Sequence, residues 1–268
     1  MLVLCDLDKT LIDESYGITD SAIHEAIARA IARGHVVGLN SDTPLPPLQR
    51  WHRDFGMNGP IIAEGGALMW RPDTQEIRAA GTAPEGAFPD LRDRILRHFT
   101  SGGVVEAIMG DPATIIRERR FRIVGDPREV ILASALRRFS LHLMPVQITG
   151  GGYLSAMDLL ERIHLCVVQM LEDTPLPCEV SWDLNREYGL LILHAAATCK
   201  QAGVSALLPW LGEREAIMIG DSINDHIDLP SVQQWAVANA SGVYRAVCSR
   251  IAEGSYSTGV VELLDSLS

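Results

Sequence analysis

The chain has 268 residues, an apolar fraction of 47% and a formal net charge of −11, enough length to bury a sizeable core in one large domain or two smaller ones. The acidic balance argues against a nucleic-acid partner, which wants Lys and Arg in excess, but not against a small phosphorylated substrate, because a bound metal reverses the sign of the charge locally. Five scattered cysteines without a CxxC pair exclude a zinc cluster and give no disulfide framework. With no basic-then-apolar leader and no apolar run of roughly 18 residues, the expectation is a reduced, cytoplasmic protein without a membrane partner.

Met1–Cys5 is a short apolar run that stops at Asp6 and Asp8. A run of that length suits a buried strand, and alternation puts the two carboxylates on one side of the strand's end. Thr19-Asp20 offers a helix N-cap, Ile23, Ile27, Ala30 and Ile31 recur at helical spacing, and Gly34 ends the segment. A second strand, His35–Leu39, runs into Asn40-Ser41-Asp42-Thr43. A helix over Pro44–Phe55 shows Leu48, Trp51 and Phe55 on one face, and a third strand covers Pro60–Ala63. Strands alternating with amphipathic helices predict βαβ units and a parallel, doubly wound (Rossmann-like) sheet.

The texture changes near Gly81, where Gly, Pro and Ala crowd together as far as Pro89. Residues 82–193 read as a separate α/β unit inserted into a core made of residues 1–81 and 194–268. Helices are expected at Leu91–Phe99, Arg128–Phe139 and Ser155–Leu171. Strands are expected near Val104–Met109, Arg120–Val124, Leu143–Ile148, Glu179–Trp182 and Leu190–His194. Arg117, Arg119 and Arg120 form a basic cluster whose ordinary explanation is a solvated face. Beyond Thr198 the first pattern resumes: a helix over Gln201–Leu208, a strand over Ala216–Ile219, then Gly220-Asp221-Ser222-Ile223-Asn224-Asp225. A short strand at Trp235–Ala238 and two terminal helices follow.

Neither a GxxxxGK[ST] nor a GxGxxG cradle is present. Asp6-x-Asp8-x-Thr10 is no calcium loop, because Leu11 and Gly17 stand where that loop needs Gly and Glu. Taken singly, an Asp at a strand end is a turn or cap residue, and Asp228 before Pro230 is read that way. Four stretches in order carry more weight: Asp6-Leu7-Asp8-Lys9-Thr10, Ser41, Lys200 and Gly220-Asp221-Ser222-Ile223-Asn224-Asp225. Together they resemble the four motifs of the haloacid dehalogenase superfamily of phosphatases and phosphotransferases. The inserted block lies where type II members carry a large α/β cap. Pro60–Ala67, its spacing to Ser41, and Ala238-Asn239-Ala240 look most similar to archaeal-type phosphoglycolate phosphatases, with sucrose-phosphate and mannosyl-3-phosphoglycerate phosphatases as near relatives.

The resemblance implies hydrolysis of a small phosphorylated metabolite by a monomer or homodimer that uses Mg²⁺. In that reading Asp6 is the nucleophile and Asp8 the general acid and base. Lys200, Ser41 and Asn224 attend the phosphoryl group, with Asn224 orienting Lys200 or a metal-bound water. Asp6, Asp221 and Asp225, with Asp8 through its backbone carbonyl, hold the metal. The inserted cap selects the substrate. A phosphotransferase of the phosphomannomutase kind and a non-catalytic metabolite binder of the same fold are the alternatives. Three positions depart from the pattern: Lys9 stands where relatives carry Gly or another uncharged residue, Ser41-Asp42-Thr43 replaces Thr-Gly-Arg, and Gly65 replaces an Asn.

Overall fold

The computed structural model describes residues 1–80, 85–110, 115, 128–149, 152–186 and 189–267. They form two compact units, Met1–Ala80 with Thr198–Ser268, and Gly81–Ala197. Among the described residues no helix is long and apolar enough to cross a membrane.

The first unit begins with β1 (Leu2–Cys5), α1 (Ile23–Ala32), β2 (Val36–Asn40), α2 (Leu45–Phe55) and β3 (Ile61–Ala63). A hairpin of β4 (Leu68–Trp70) and β5 (Ile77–Ala79) follows. In the second unit lie α3 (Ala87–Thr100), β6 (Val105–Met109), β7 (Arg128–Ala133), β8 (Ser140–Thr149), β9 (Gly152–Ser155), α4 (Met157–Asp173), β10 (Val180–Asn185) and β11 (Leu190–Ala195). The chain then returns to the first unit with α5 (Lys200–Leu211), β12 (Ala216–Gly220), β13 (Val232–Ala236), α6 (Gly242–Arg245), β14 (Arg250–Ile251) and α7 (Tyr256–Asp265).

The sheet of the first unit has the order β14-β13-β12-β1-β2-β3-β4-β5. It is parallel from β14 to β3, and the β4–β5 hairpin adds an antiparallel edge. A strand buried on both sides must be apolar throughout, and β1 is buried at every residue. Leu2 and Leu4 join Ile62, Met69 and Met218 in a core with Val204, Leu207 and Leu208 of α5. By alternation Val3 and Cys5 face the opposite side. Helices α1 and α7 pack on each other, α1 burying Ile23, Ala26, Ile27 and Ala30, one stripe at helical spacing. Successive strands leave β1 in one direction through β2 and in the other through β12, so a topological switch lies between them. Because Cys5 pairs with Ile219, the residues after both strands emerge side by side.

The second unit has a sheet of order β10-β11-β8-β7-β6, with β9 paired to β8. Only β6 and β7 are parallel among the described pairs. Helices α3 and α4 pack against each other and against β8, burying Phe88, Leu91 and Ile95 from one and Leu159, Ile163 and Val167 from the other.

The elements differ from expectation in particular places. Arg128–Phe139 is not a helix. Its first half is strand β7, with Val130 to Ala133 all buried between β6 and β8, and an unbroken apolar run of that length fits either state until its neighbours decide. Asp20 does not cap α1 directly: the helix starts after Ala22, whose N–H donates to the Asp20 carboxylate one step earlier. On α2 the buried place expected for Trp51 belongs to His52, which bonds the Gly59 carbonyl at 2.8 Å, and Trp51 is half-buried against Phe55. The strand expected at Arg120–Val124 and the cluster Arg117, Arg119 and Arg120 lie outside the described residues.

Candidate active site

The backbone of β1 delivers Asp6 to the switch point, where its N–H donates to the Ile219 carbonyl at 2.9 Å. Asp6 is buried beside Lys200, whose Nζ lies 2.5 Å from Asp6 Oδ1 and 2.5 Å from Asp225 Oδ1. Lys200 is the first residue of α5, where an ammonium opposes the helix dipole and gains nothing from the helix itself. Two carboxylates supply the compensation.

Gly66 lets α5 come this close. A Cβ there would stand 2.0 Å from the Cys199 carbonyl oxygen, and its φ of +106° is left-handed as well. Cys199 then caps the helix through its sulfur, which accepts from the Ala202 N–H.

Asp225 is held on all sides. Its Oδ2 accepts from the Asp221 N–H at 3.0 Å, the Ser222 N–H at 2.9 Å and the Ser222 hydroxyl at 3.3 Å, while Oδ1 takes Lys200. It closes the 3₁₀ turn Ile223–Asp225 as a capping box with Ser222. Gly220 permits this, since a Cβ there would lie 2.4 Å from Asp225 Oδ2. Asp221 stands next to it, bonded to the Thr10 hydroxyl at 3.5 Å across 211 residues of sequence, and its carbonyl accepts the Ser241 N–H.

Asp6, Asp221 and Asp225 each offer a carboxylate oxygen within 4.8 Å of the others. With all three ionised and one ammonium present, the cluster carries an excess of negative charge. The electrostatics follow. Burial, with Asp225 and Asp8 adding repulsion, pushes Asp6 well above the usual carboxylate range although Lys200 opposes it. Burial and Asp225 push Asp221 up to about 6. Burial disfavours the Lys200 ammonium, but Asp225 and Asp6 outweigh it and hold the group above the ordinary lysine range. An oxygen-only donor set short of positive charge fits a hard divalent cation such as Mg²⁺.

The remaining predicted residues stand around this cluster. Asp8 is exposed, its side chain outside the three-carboxylate group, and Thr43 Oγ1 donates to its Oδ2 at 3.2 Å. Ser41 is buried at the end of β2, its hydroxyl accepting the Thr43 N–H at 3.1 Å. Asn224 is exposed in the 3₁₀ turn, and the bonds that orient Lys200 come from Asp6 and Asp225 instead. Thr43 and Asn239 stand in segments the sequence singles out, but nothing in the sequence assigns either residue a role. The Asn239 side chain donates to the Lys9 carbonyl at 2.7 Å and accepts the Tyr256 N–H at 2.9 Å, which fixes the Asp6–Thr10 loop through Lys9, itself at φ +59°.

No protein-family model matches the sequence, and no curated protein matches it. Solved structures do. A haloacid dehalogenase-like hydrolase from Bacteroides thetaiotaomicron superposes with a TM-score of 0.71 at 19% identity, covering 98% of each chain. The chain has the haloacid dehalogenase-like fold. A second hydrolase of this type, from B. subtilis, gives a TM-score of 0.60 at 15% identity over 100% of this chain and 99% of that one. A subclass IIB sugar phosphatase gives 0.59 at 16% identity over 98% and 97%. At such identities the likeness concerns the haloacid dehalogenase-like fold and leaves the chemistry to be argued from the side chains.

Proposed function

We propose that the chain is a Mg²⁺-dependent phosphatase that hydrolyses a small phosphorylated metabolite through an aspartyl-phosphate on Asp6. The observation that carries this reading is the meeting of Asp6, Lys200, Asp221 and Asp225, from three separated stretches, at the switch point of the sheet. In this reading Asp6 and Asp221 hold the cation through their carboxylates, with the Asp8 backbone carbonyl as a further ligand. Asp225 lies in the same cluster with its oxygens committed to Lys200 and the Asp221–Ser222 backbone, so it acts chiefly as their brace.

A carboxylate approaching a phosphate dianion meets repulsion of roughly 8 kcal/mol, twice the ~4 kcal/mol of two unit charges at ~4 Å and an effective dielectric constant of ~20. Lys200 offsets part of it by holding a positive charge against Asp6. Mg²⁺ held by Asp6 and Asp221 would supply the rest by neutralising charge on the phosphoryl oxygens.

An Asp6 oxygen attacks phosphorus, the bond to the leaving oxygen breaks, and that oxygen takes its electron pair and a proton from Asp8. Water then attacks the aspartyl-phosphate and gives a proton to Asp8, while the phosphorus–Asp6 bond breaks to return the carboxylate and release inorganic phosphate. The Ser41 hydroxyl accepts from Thr43 N–H and keeps its own hydrogen to donate to a phosphoryl oxygen. The second unit, residues 81–197, serves in this reading as the selector of the substrate's remainder.

The sugar phosphatase among the structural neighbours supports phosphorylated sugars as one substrate class, with phosphoglycolate and glycerate phosphates beside them. The test is phosphate release from such a panel by wild type and Asp6→Asn, with Mg²⁺ and with chelator. Loss of turnover in a folded Asp6→Asn protein is expected, and Mg²⁺-dependent turnover retained by that variant refutes the mechanism.

A further inference from the structure

Asp8 has to present a proton in one direction, yet it is exposed in the loop that follows β1. Proton delivery needs one setting of the Asp8 χ1 and χ2 angles out of the several an aspartate can adopt. A residue 35 positions away contributes to that setting: Thr43 Oγ1 donates to Asp8 Oδ2 at 3.2 Å.

Thr43 is itself firmly mounted. Its N–H donates to Ser41 Oγ at 3.1 Å, and its carbonyl accepts the Glu64 N–H at 3.2 Å. The Ser41 carbonyl takes the Gly65 N–H at 3.2 Å, so the loop after β2 is tied to the loop after β3 twice. Thr43 also precedes Pro44, whose ring restricts the residue before it to extended backbone. On the other side Lys9 sits at φ +59° with its carbonyl held by Asn239. Both ends of the Thr43–Asp8 bond therefore rise from backbone that has little freedom of its own.

We infer that Thr43 is a positioning residue for the general acid: its hydroxyl holds the Asp8 carboxylate in the rotamer that delivers a proton to the leaving oxygen. This rests on the phosphatase reading of the same site. The step it serves is the first one, in which Asp6 bonds to phosphorus, the phosphorus–leaving-oxygen bond breaks, and the proton passes from Asp8 to the departing oxygen. A departing alkoxide needs that proton, whereas a departing 4-nitrophenolate is stable without it. The value of Thr43 therefore depends on the leaving group, which a merely structural residue would not show.

The test compares kcat/KM for benzyl phosphate and for 4-nitrophenyl phosphate in wild type, Thr43→Val and Thr43→Ser, with Mg²⁺ present. kcat/KM covers steps up to the first irreversible one and so leaves out hydrolysis of the aspartyl-phosphate. Thr43→Val is expected to lose about tenfold on benzyl phosphate, the upper scale of one hydrogen bond between neutral groups, and less than about twofold on 4-nitrophenyl phosphate. Thr43→Ser, which keeps the hydroxyl, should return near wild type. Equal losses on the two esters, no loss on either, or a Thr43→Ser variant as poor as Thr43→Val each overturn the assignment. Thr43→Ala, which removes the hydroxyl without the branched bulk of Val, must give the same selectivity, and thermal unfolding confirms that each variant is folded. Wild type that releases phosphate neither from these esters nor from the sugar, glycolate and glycerate phosphates of the panel refutes the phosphatase reading itself; wild type that hydrolyses both esters while the variants behave alike refutes only the role of Thr43.

Discussion

Replacing Lys200 by Met keeps the volume of the side chain and removes its charge from between two buried carboxylates. Lys200 is only 10% exposed, Asp6 7% and Asp225 1% in their side chains, so solvent cannot take over the compensation. Removing one partner from a buried ionic cluster leaves the other uncompensated and costs about 3–5 kcal/mol. For a unit of this size that lowers the unfolding midpoint by roughly 10 °C.

The loss has a direction in pH. Asp6 already titrates well above its ordinary range, and without the ammonium it climbs further. A carboxyl whose folded pKa exceeds its unfolded value contributes stability below the unfolded pKa, and that contribution disappears as pH rises through the folded one. Lys200 titrates above the ordinary lysine range, so in wild type its own contribution is fully present at neutral pH. The gap between wild type and Lys200→Met should therefore be small near pH 5 and wide at pH 8. Thermal unfolding of both full-length proteins in chelator, at the two pH values, measures it. A gap under about 1 kcal/mol at pH 8, or one equal at the two pH values, refutes the claim that Lys200 neutralises this cluster.

Two further outcomes are expected. Asp221 titrates near about 6 against an ordinary 3.8, so the metal-free protein loses this group's stabilisation as pH rises through that range, and a divalent cation opposes the loss. The rise in unfolding midpoint on replacing chelator with Mg²⁺ should grow from pH 5 to pH 7, and a rise independent of pH counts against Asp221 as a ligand. Gly66→Ala would put a Cβ 2.0 Å from the Cys199 carbonyl oxygen, forcing the start of α5 and Lys200 outward. A displacement of about 1 Å in such a group costs about a hundredfold in kcat, so wild-type rates in Gly66→Ala would show that the close approach is dispensable.

The parts of the site legible in the sequence were those where an apolar run ends abruptly on a carboxylate. Met1–Cys5 followed by Asp6, and Ala216–Ile219 followed by Gly220-Asp221, announced two strand ends, and the doubly wound sheet followed from the alternation around them. The hairpin β4–β5 was not legible: β5 is exposed at all three residues and shows no alternation to mark it as a strand. Nor was β7, because Val130-Ile131-Leu132-Ala133 carries no period that separates a buried strand from a buried helix. The Thr43–Asp8 bond leaves no local trace, being fixed by two loops that meet only in the fold. Lys9 read as a departure, and the structure says what it costs: a left-handed φ of +59° that a glycine would adopt freely, here sustained by the Asn239 bond to its carbonyl.

The pairing of β1 with β12, Leu2 opposite Ala216, has a consequence for how the protein is made. During synthesis the first strand leaves the ribosome long before its partner exists, while residues 81–197, continuous in sequence, can collapse as they emerge. The opening segment waits with one β1 edge bare until the last quarter of the chain arrives. Contacts of such long sequence separation close slowly, so this interval is where misassembly and chaperone dependence would concentrate.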